Sequence, residues 1–533
     1  MMSEAVLQIN NLSVALPKGG DRSHAIQGIS LSIQRGKTLC VVGESGSGKS
    51  VMATTVMGLL ARELKADQGE ILLQGEALLK VSASRLRALR GQAMGMVFQE
   101  PMTALNPVMR CGDQVDELLA THTDWSPEKR KAEVLRVFES VRLPEPLRIY
   151  DSFPHQLSGG QRQRIVIAMA VILKPALLIC DEPTTALDVT TQKEILKLIS
   201  QLQAEQGCAV LFITHDMGVV AEIADDVLVM NQGRAVESGT SEQVLRRPQE
   251  HYTQSLLAAV PSMTPPPARA AAQGPVRLKG TDVCKTYVSR DWLGRGHETH
   301  ALKAASVAVR AGETIGIVGE SGSGKSTLAR CLIRLIDPTA GSIHWGDHEI
   351  ATLRESQLRP LRSHVQVVFQ DPNRSLNPRR TVGQSIVEGA INFGMSHEKA
   401  QALAETLMQQ VRLPVEALQR YPTQFSGGQR QRLAIARALA CEPKVLVADE
   451  AVSALDVSVQ AQILTLLREI QARLGLGMLF ITHDLRVAAQ LCDQVIVMHQ
   501  GQIVEMGATG DLYASPQHAY TRKLFEAAPA AIF

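Results

Sequence analysis

The sequence predicts an α/β protein made of two tandem modules, each with a sheet arranged around a phosphate-binding loop. Three observations lead to this prediction. The same eight residues, GESGSGKS, occupy positions 43–50 and again 319–326. In both places an apolar run precedes the segment and a helical pattern follows it, which is the strand, loop and helix order of a nucleotide-binding core. The chain of 533 residues is also too long for a single hydrophobic core.

The repeated segment has the pattern G-x-x-x-x-G-K-[ST], whose small residues let successive backbone N–H groups face a phosphate. Lys49 and Lys325 are predicted to neutralise the β- and γ-phosphates, and the hydroxyls of Ser50 and Ser326 to bind Mg²⁺. A solvated glycine turn is the alternative, and the identical second copy argues against it. The predicted phosphate-binding residues are Gly43, Glu44, Ser45, Gly46, Ser47, Gly48, Lys49 and Ser50, and Gly319, Glu320, Ser321, Gly322, Ser323, Gly324, Lys325 and Ser326.

The rest of the first module shows a change from alternating strands to a helical insertion and back to an α/β core. Alternating apolar residues predict an antiparallel pair of strands before the loop, and the helix after the loop is expected to end near Leu60. The region from 100 to 157 is helical in pattern, with Ser126 as the N-cap before Pro127. The predicted later elements are a helix at 160–173, a strand at 176–180, a helix at 191–205, a strand at 209–214 and a hairpin at 227–237.

The second half replays this order. Residue 43 corresponds to 319 and residue 215 to 483, so the offset between equivalent residues changes little and the two halves differ only by small deletions. A stretch rich in proline and alanine lies between them and is typical of a short, stiff linker. The predicted divisions are a first module at 1–260, a linker at 261–275 and a second module at 276–533.

The composition of the chain limits its possible partners and cellular location. The net charge of +2 gives no strong field for a polyanion, so nucleic acid is not an expected partner. The eight cysteines are scattered without a C-x-x-C pair, which suits reduced thiols in the cytoplasm. The N-terminus lacks the pattern of a secretory signal, and the best apolar run is too short to span a membrane. If the protein works at a membrane, other chains are expected to cross it.

Two acidic residues follow an apolar strand pattern in each module, Asp181 and Glu182 in the first and Asp449 and Glu450 in the second. Such a strand delivers its acids to the carboxyl edge of the sheet, beside the phosphate loop. The first acid is suited to hold Mg²⁺, and the second can orient an attacking water. The alternative, an ordinary strand end, is weakened by the recurrence of the pair at the same place.

A serine and two glycines open a helix in each module and present bare N–H groups, which is the pattern of a second anion site. The alternative is a capped helix start with no further role. The residues are Ser158, Gly159, Gly160 and Gln161, and Ser426, Gly427, Gly428 and Gln429. With the preceding leucine at 157, this stretch resembles the LSGGQ signature of the ATP-binding-cassette (ABC) ATPases, and the resemblance covers nearly the whole chain.

The resemblance implies two P-loop NTPase (RecA-like) cassettes, each with an antiparallel β-subdomain and a helical signature subdomain. It also implies that ATP binds between cassettes arranged head to tail. One site would join the first loop, Gln99, Asp181, Glu182 and His215 with signature residues 426–429. The other would join the second loop, Gln370, Asp449, Glu450 and His483 with residues 158–161.

Further positions match the motifs of the family. Gln99 and Gln370 correspond to the Q-loop, which contacts Mg²⁺ and water and senses the membrane subunit. His215 and His483 correspond to the switch histidine at the γ-phosphate, and Glu182 and Glu450 to the catalytic carboxylate. The D-loop, which crosses the dimer seam, matches Ala186-Leu187-Asp188 and Ala454-Leu455-Asp456. Tyr287 matches the aromatic residue that stacks on adenine, whereas the aligned position in the first module is near Leu16.

The amino-acid sequence around the motifs is similar to that of the oligopeptide, dipeptide and nickel importer ATPases. The similarity lies in segments 98–107 and 369–378 and in the tails at 251–253 and 520–524. Fusion of two cassettes in one chain resembles the glutathione-importer type, with the microcin C or peptide-importer type as a close second. Some related tails carry cysteines for an iron–sulfur centre, and none is predicted here.

This resemblance implies an ATPase subunit, with ATP and Mg²⁺, that drives uptake of peptides or peptide-like solutes. Its implied partners are two membrane-spanning permease subunits, contacted near the Q-loops, and an extracytoplasmic solute-binding protein. The implied location is peripheral, on the cytoplasmic face of the inner membrane. The alternative is a soluble tandem ABC ATPase that acts on ribosomes or DNA, but such proteins carry a long charged linker or zinc-binding cysteine pairs.

Overall fold

We describe the protein from a computed structural model that covers residues 5–17, 22–185, 187–268, 272–290, 296–453 and 455–528. Contacts divide the chain into two compact units, with the main boundary between residues 260 and 261. Each unit combines strands and helices in the predicted α/β order, so the predicted fold class is confirmed. Ala186 and Ala454 of the predicted D-loops lie outside the described residues.

The first module contains an antiparallel sheet and a mainly parallel core sheet. Its strands are β1 (Ala5–Ala15), β2 (His24–Gln34), β3 (Thr38–Val42), β4 (Lys65–Leu73), β5 (Glu76–Ala77), β6 (Met94–Val97), β7 (Leu177–Asp181), β8 (Ala209–Ile213), β9 (Asp226–Asn231) and β10 (Arg234–Thr240). The antiparallel sheet has the order β2-β1-β4-β5, and the core sheet has the order β10-β9-β3-β8-β7-β6. Strand β10 pairs antiparallel with β9, as the predicted closing hairpin requires.

Helices cover the core sheet and form the insertion that the sequence predicts. They are α1 (Lys49–Val56), α2 (Ala83–Gln92), α3 (Pro101–Ala104), α4 (Cys111–His122), α5 (Pro127–Ser140), α6 (Pro146–Asp151), α7 (Gly159–Val171), α8 (Val189–Gln206), α9 (Met217–Ile223), α10 (Ser241–Arg246) and α11 (His251–Ala258). The Ser126 side chain accepts a hydrogen bond from Lys129 N and caps α5, so the predicted cap is confirmed.

The second module repeats the arrangement. Its strands are β11 (Val276–Arg290), β12 (Gly296–Arg310), β13 (Thr314–Val318), β14 (Ala340–Trp345), β15 (His348–Glu349), β16 (Val365–Val368), β17 (Val445–Asp449), β18 (Gly477–Ile481), β19 (Gln494–His499) and β20 (Gln502–Ala508). The sheets have the orders β12-β11-β14-β15 and β16-β17-β18-β13-β19-β20. Its helices are α12 (Lys325–Leu332), α13 (Glu355–Leu358), α14 (Pro372–Ser375), α15 (Val382–Asn392), α16 (His397–Gln410), α17 (Gly427–Leu439), α18 (Val457–Leu474), α19 (Leu485–Leu491), α20 (Thr509–Ala514) and α21 (Ala519–Ala527).

The core of each module lies on the two faces of the parallel sheet. In the first module, one face packs against α1 and the antiparallel sheet, with Ile9, Met52 and Ile179 fully buried. The other face packs against the signature helix α7 and the helical insertion, where Phe138 and Phe212 are fully buried. Burial of the strands on both faces explains their continuous apolar runs and holds the carboxyl ends of β3 and β7 in fixed positions.

Helix α1 ends earlier than the sequence predicts. Its last residue is Val56 rather than one near Leu60. Gly58 has a φ of 62°, in the left-handed region that ends a helix, and its N–H donates to Thr55 O. The apolar residues Leu59 and Leu60 extended the predicted pattern past this turn.

The eight cysteines lie in the described residues and carry free thiols. Six of the thiols are buried, whereas Cys284 and Cys441 are partly exposed. Burial raises the pKa of the Cys40 and Cys180 thiols, which therefore remain protonated in the strands that carry the site. Among the helices of the described ranges, none is both long and apolar enough to cross a membrane.

Candidate functional site

The first phosphate loop lies between β3 and α1 and closely approaches the end of β9. Gly43 has a φ of 148°, and a Cβ at this residue would lie 2.1 Å from Met230 O, so only glycine fits. Lys49 is buried at the start of α1, and its Nζ donates to Gly43 O at 2.8 Å and to Glu44 O at 2.9 Å. The loop thus curls around a fixed ammonium group at a helix N-terminus, which favours an anion.

The second loop, between β13 and α12, reproduces this geometry. Gly319 has a φ of 147°, and a Cβ there would lie 2.3 Å from Met498 O. Lys325 Nζ donates to Gly319 O and to Glu320 O, both at 2.7 Å. Burial lowers the pKa of Lys325, and nearby carboxylates such as Glu450 oppose that shift. Both modules therefore hold a partly desolvated lysine ready for a phosphate.

The first acid of each pair contacts the loop serine. Ser50 Oγ donates to Asp181 Oδ1 at 3.1 Å, and Ser326 Oγ donates to Asp449 Oδ1 at 3.2 Å. Burial raises the pKa of Asp181 to about 6, even though the Ser50 bond opposes the shift. A hydroxyl next to a partly desolvated carboxylate forms a set of oxygen donors that suits Mg²⁺, and a bound cation would favour the ionised acid.

The second acid of the first module is held by three side chains. Glu182 follows β7 with a φ of 48°, and its N–H donates to Ile213 O on the neighbouring strand. Its Oε2 accepts from Gln99 Nε2 at 3.0 Å and from Thr185 Oγ1 at 2.9 Å, and lies 3.2 Å from His215 Nδ1. Burial alone would raise the pKa of Glu182, but the bond to His215 and its charge outweigh burial and lower the pKa to about 2.

The corresponding acid of the second module has different neighbours. Glu450 Oε2 lies 3.6 Å from His483 Nδ1, a longer separation than in the first module. Gln370 Nε2 donates to Ser453 Oγ at 3.3 Å, and Ser453 Oγ in turn donates to Glu450 O at 3.0 Å. Serine replaces Thr185 at this position, so the glutamine bonds a hydroxyl where Gln99 bonds the carboxylate. The two modules thus place the same residue types in different hydrogen-bond networks.

We predict that His215 and His483 titrate above the ordinary histidine pKa of 6.5. Burial lowers the pKa of each imidazole, but the adjacent glutamate raises it by more. The ion pair thus stabilises the folded state fully below pH 6.5 and loses this effect as pH rises through the raised histidine pKa. At the acid end, the pair is lost as pH falls through the lowered glutamate pKa.

NMR of the chain labelled with ¹³C-histidine measures these midpoints, with signals assigned through His215→Gln and His483→Gln. The matched control is Glu182→Gln, which should bring the His215 midpoint down while leaving that of His483 in place. A midpoint at or below 6.5 in the wild-type chain contradicts the prediction.

Each signature segment is a capped helix start. Gln161 N donates to Ser158 Oγ at 3.3 Å, and Ser158 N donates to Gln161 Oε1 at 3.0 Å. The same reciprocal pair joins Ser426 and Gln429 in the second module, at 3.3 and 3.0 Å. This capping leaves the first N–H groups of α7 and α17 rigidly oriented, so the capped start and the predicted anion site are compatible.

Two family profiles match long parts of both modules. The profile described as "ABC transporter" matches residues 26–185 and 302–453, which is more than half of the chain. The chain belongs to the ABC transporter family. A second profile, "Oligopeptide/dipeptide transporter, C-terminal region", matches residues 236–288 and 504–531. The predicted family and the two tandem ABC cassettes are therefore confirmed, and both cassettes are followed by the same type of C-terminal region.

Several relatives of this ABC protein align with nearly all of the chain. The "Glutathione import ATP-binding protein GsiA" of Shigella boydii is 47% identical over 99% of this chain and 90% of its own. The protein of the same name from Escherichia coli K12 is 46% identical, and that from Salmonella typhimurium 45%, over the same shares. A solved dimeric cassette, MJ0796 bound to ADP and Pi, is 30% identical over 44% of this chain and 98% of its own, with a TM-score of 0.40.

The residues predicted to stack on adenine or to form the D-loops lie outside the hydrogen-bond networks described above. Tyr287 lies on β11 and is 41% exposed, with Lys285 Nζ 5.1 Å from its ring centroid. Leu16, the aligned residue, lies between β1 and β2. Asp456 caps α18 by accepting from Val459 N at 3.0 Å, whereas Asp188 is a buried residue just before α8.

Further side chains, which were not predicted as site residues, contact the loops or the acids beside them. Thr185 holds the Glu182 carboxylate, and Arg22 NH2 donates to Gly46 O of the first loop at 2.5 Å. Tyr252 and Tyr520 hydroxyls accept hydrogen bonds from backbone N–H groups of the loops. Of these contacts, only those of the tyrosines could have been suspected from the sequence, because a tyrosine recurs at the same place in both C-terminal regions.

We predict that the two signature glycines of the second cassette differ in their tolerance of a methyl group. A Cβ on Gly428 would lie 2.3 Å from Val459 Cγ1, whereas a Cβ on Gly427 would meet no atom of the described residues within 4 Å. Gly428→Ala should therefore lower the free energy of unfolding by about 1–3 kcal/mol through overpacking against α18. Gly427→Ala, the matched control, should change it by less than about 0.5 kcal/mol. Urea unfolding measures both, and equal effects would contradict the packing argument.

Proposed function

We propose that this ABC protein is the ATP-hydrolysing subunit of an importer for peptides or peptide-like solutes, a class that includes glutathione. The observation that carries the proposal is the similarity along 99% of the chain to ATPases named for glutathione import. The oligopeptide/dipeptide-type C-terminal region after both cassettes supports the same solute class. The rival role, on ribosomes or DNA, is not favoured by these similarities.

The chemistry proposed for each cassette is transfer of the γ-phosphoryl group of ATP to water. Lys49 and Lys325 would neutralise the β- and γ-phosphates, while backbone N–H groups of each loop cradle them. Ser50 with Asp181, and Ser326 with Asp449, would hold Mg²⁺, together with Gln99 and Gln370. Mg²⁺, when bound, would supply charge neutralisation on the phosphate oxygens.

The proposed role of Glu182 and Glu450 is to orient and polarise the attacking water. A carboxylate with a low pKa is ionised throughout the physiological range, as this role requires, and Glu182 has a pKa of about 2. His215 and His483 would bond the γ-phosphate while their Nδ1 atoms face the glutamates. We also propose that each loop is completed by the signature of the other cassette, the first by 426–429 and the second by 158–161. Asp188 and Asp456 would take the D-loop positions at the seam, and Tyr287 would stack on adenine in the second site.

The proposed partners are two permease subunits that contact the cassettes near Gln99 and Gln370, with an extracytoplasmic solute-binding protein in the full complex. The chain would sit peripherally on the cytoplasmic face of the inner membrane. The permeases would form the membrane-spanning part of the complex. No nucleic acid partner is proposed.

The test is ATP hydrolysis by the chain reconstituted in lipid nanodiscs with the permease subunits encoded beside it. Added binding protein, with dipeptides, oligopeptides or glutathione, should stimulate hydrolysis severalfold, and the double variant Glu182→Gln, Glu450→Gln should not respond. If the rate of hydrolysis does not change with permeases or peptides but rises with ribosomes or DNA, the transport role is overturned.

A further inference from the structure

A tyrosine from each C-terminal region reaches the phosphate loop of its own cassette. Tyr252, in α11, accepts a hydrogen bond from Glu44 N at 3.4 Å, across 208 residues of sequence. Tyr520, in α21, accepts from Glu320 N at 3.1 Å, across 200 residues. The contact recurs in both cassettes, where each tyrosine lies in the same pattern, Pro-Gln-x-x-Tyr-Thr.

The peptide unit that the tyrosine contacts is the one that holds the loop lysine. The Glu44 N–H and the Gly43 carbonyl belong to a single planar peptide, so their orientations cannot change independently. Gly43 O accepts from Lys49 Nζ at 2.8 Å on one side of this peptide, while Glu44 N donates to the tyrosine on the other. In the second cassette Gly319 O accepts from Lys325 Nζ at 2.7 Å. A hydroxyl that fixes the peptide plane therefore also fixes the carbonyl that orients the ammonium.

A glutamate on the closing hairpin holds the segment directly before the helix that carries each tyrosine. The Glu237 carboxylate, on β10, accepts from Gln249 N at 2.8 Å and from Glu250 N at 3.3 Å, directly before α11. In the second cassette, the Glu505 carboxylate on β20 accepts from Gln517 N at 2.7 Å and from His518 N at 3.1 Å, directly before α21.

The tyrosine of the second cassette has an additional support. The Tyr520 ring stacks on His499, at the end of β19, with centroids 3.9 Å apart. The residue at the matching end of β9 is Asn231, which has no ring for Tyr252 to stack on. The stacking on His499 therefore helps to place the Tyr520 hydroxyl beside the loop.

We propose that Tyr252 and Tyr520 are positioning residues of the two ATP sites. Each hydroxyl orients the Gly–Glu peptide that holds the loop lysine, and so couples the C-terminal region of a cassette to its affinity for ATP. This role deepens the proposed function and rests on ATP binding by the two loops, although it is independent of which solute is imported. Phenylalanine at these positions would keep the packing of the ring and remove only the hydroxyl.

The experiment measures binding of a fluorescent ATP analogue to the full chain, with one site read at a time. Tyr520→Phe is made in a Lys49→Ala background, which silences the first site, and Tyr252→Phe in a Lys325→Ala background. The matched control is Tyr513→Phe, since Tyr513 OH donates to Leu485 O at 2.6 Å, in the same C-terminal region but not at the loop. Melting temperature is recorded for every variant.

We expect Tyr520→Phe to weaken ATP binding about fivefold, the effect of one hydrogen bond, and Tyr252→Phe to weaken it about twofold because its bond is longer. In the otherwise wild-type chain, Tyr520→Phe should raise KM for ATP more than it lowers kcat. Tyr513→Phe should lower the melting temperature at least as much without changing ATP affinity.

Two outcomes would overturn the role. One is an unchanged affinity in Tyr520→Phe, and the other is an equal loss in Tyr513→Phe, which would reveal a general effect on packing. Absence of binding to the wild-type chain would instead contradict the ATP sites themselves, so the two failures are distinguishable.

Discussion

Replacing both Glu182 and Glu450 by glutamine lowers ATP turnover at least about a hundredfold, while ATP binding is retained. An amide has the shape of the carboxylate but lacks the negative charge that polarises the attacking water, and such help is worth roughly 10²–10⁴-fold. In the first cassette, Gln99, Thr185 and His215 hold the carboxylate, so a glutamine there stays in the same place. Each single variant should retain about half of the turnover, because the other site remains intact.

Steady-state phosphate release measures this effect, and a fluorescent ATP analogue checks binding in the same samples. Glu76→Gln is the matched control, since Glu76 accepts from Arg85 at the surface and is remote in sequence from both sites. Wild-type turnover in the double variant would remove these glutamates from the proposed chemistry. Loss of ATP binding in that variant would point to a structural role instead.

Replacing both Lys49 and Lys325 by alanine lowers ATP affinity at least about a hundredfold. A unit charge about 4 Å from a phosphate contributes roughly 4 kcal/mol at an effective dielectric constant of 20, which alone corresponds to about a thousandfold. Part of this is offset because each ammonium is buried before ATP arrives, as the lowered pKa of Lys325 indicates. Alanine also leaves Gly43 O and Gly319 O without their cation, so the loops lose their internal support.

Equilibrium titration with the ATP analogue measures the loss. The control is Lys37→Ala, because Lys37 Nζ pairs with Asp225 at 2.7 Å on the surface, and Asp225 keeps a second bond from Thr38 N. The affinity of Lys37→Ala for the ATP analogue should stay within twofold of that of the wild-type chain. If the double lysine variant binds two ATP molecules with wild-type affinity, the loops are not the nucleotide sites.

The sequence could predict those parts of the site that depend on local patterns or on sheet order. Gly43 and Lys49 lie within one short motif, and a turn this tight requires small residues wherever it occurs. The approach of Glu182 to His215 could also be predicted in outline, because parallel strands β7 and β8 end at the same edge of the sheet. These features follow from backbone geometry that the sequence pattern specifies directly.

The details that distinguish the cassettes depend on side-chain rotamers and long-range packing. The Q-loop glutamine bonds Glu182 in one cassette and Ser453 in the other, and the exchange of Thr185 for serine alone does not indicate this difference. The contact of Tyr252 with the loop joins residues 208 positions apart, so no periodicity connects them. The early end of α1 was missed because apolar residues continue past the turn at Gly58.

The distribution of thiols gives each cassette its own reporter of opening. Cys40, Cys111, Cys180 and Cys208 are buried in the first cassette, and Cys331 and Cys492 in the second. A buried thiol reacts with an alkylating reagent only when the surrounding structure opens. Pulsed alkylation followed by peptide mass spectrometry can therefore time the unfolding of each half separately in one unmodified chain, with the partly exposed Cys284 as a reference.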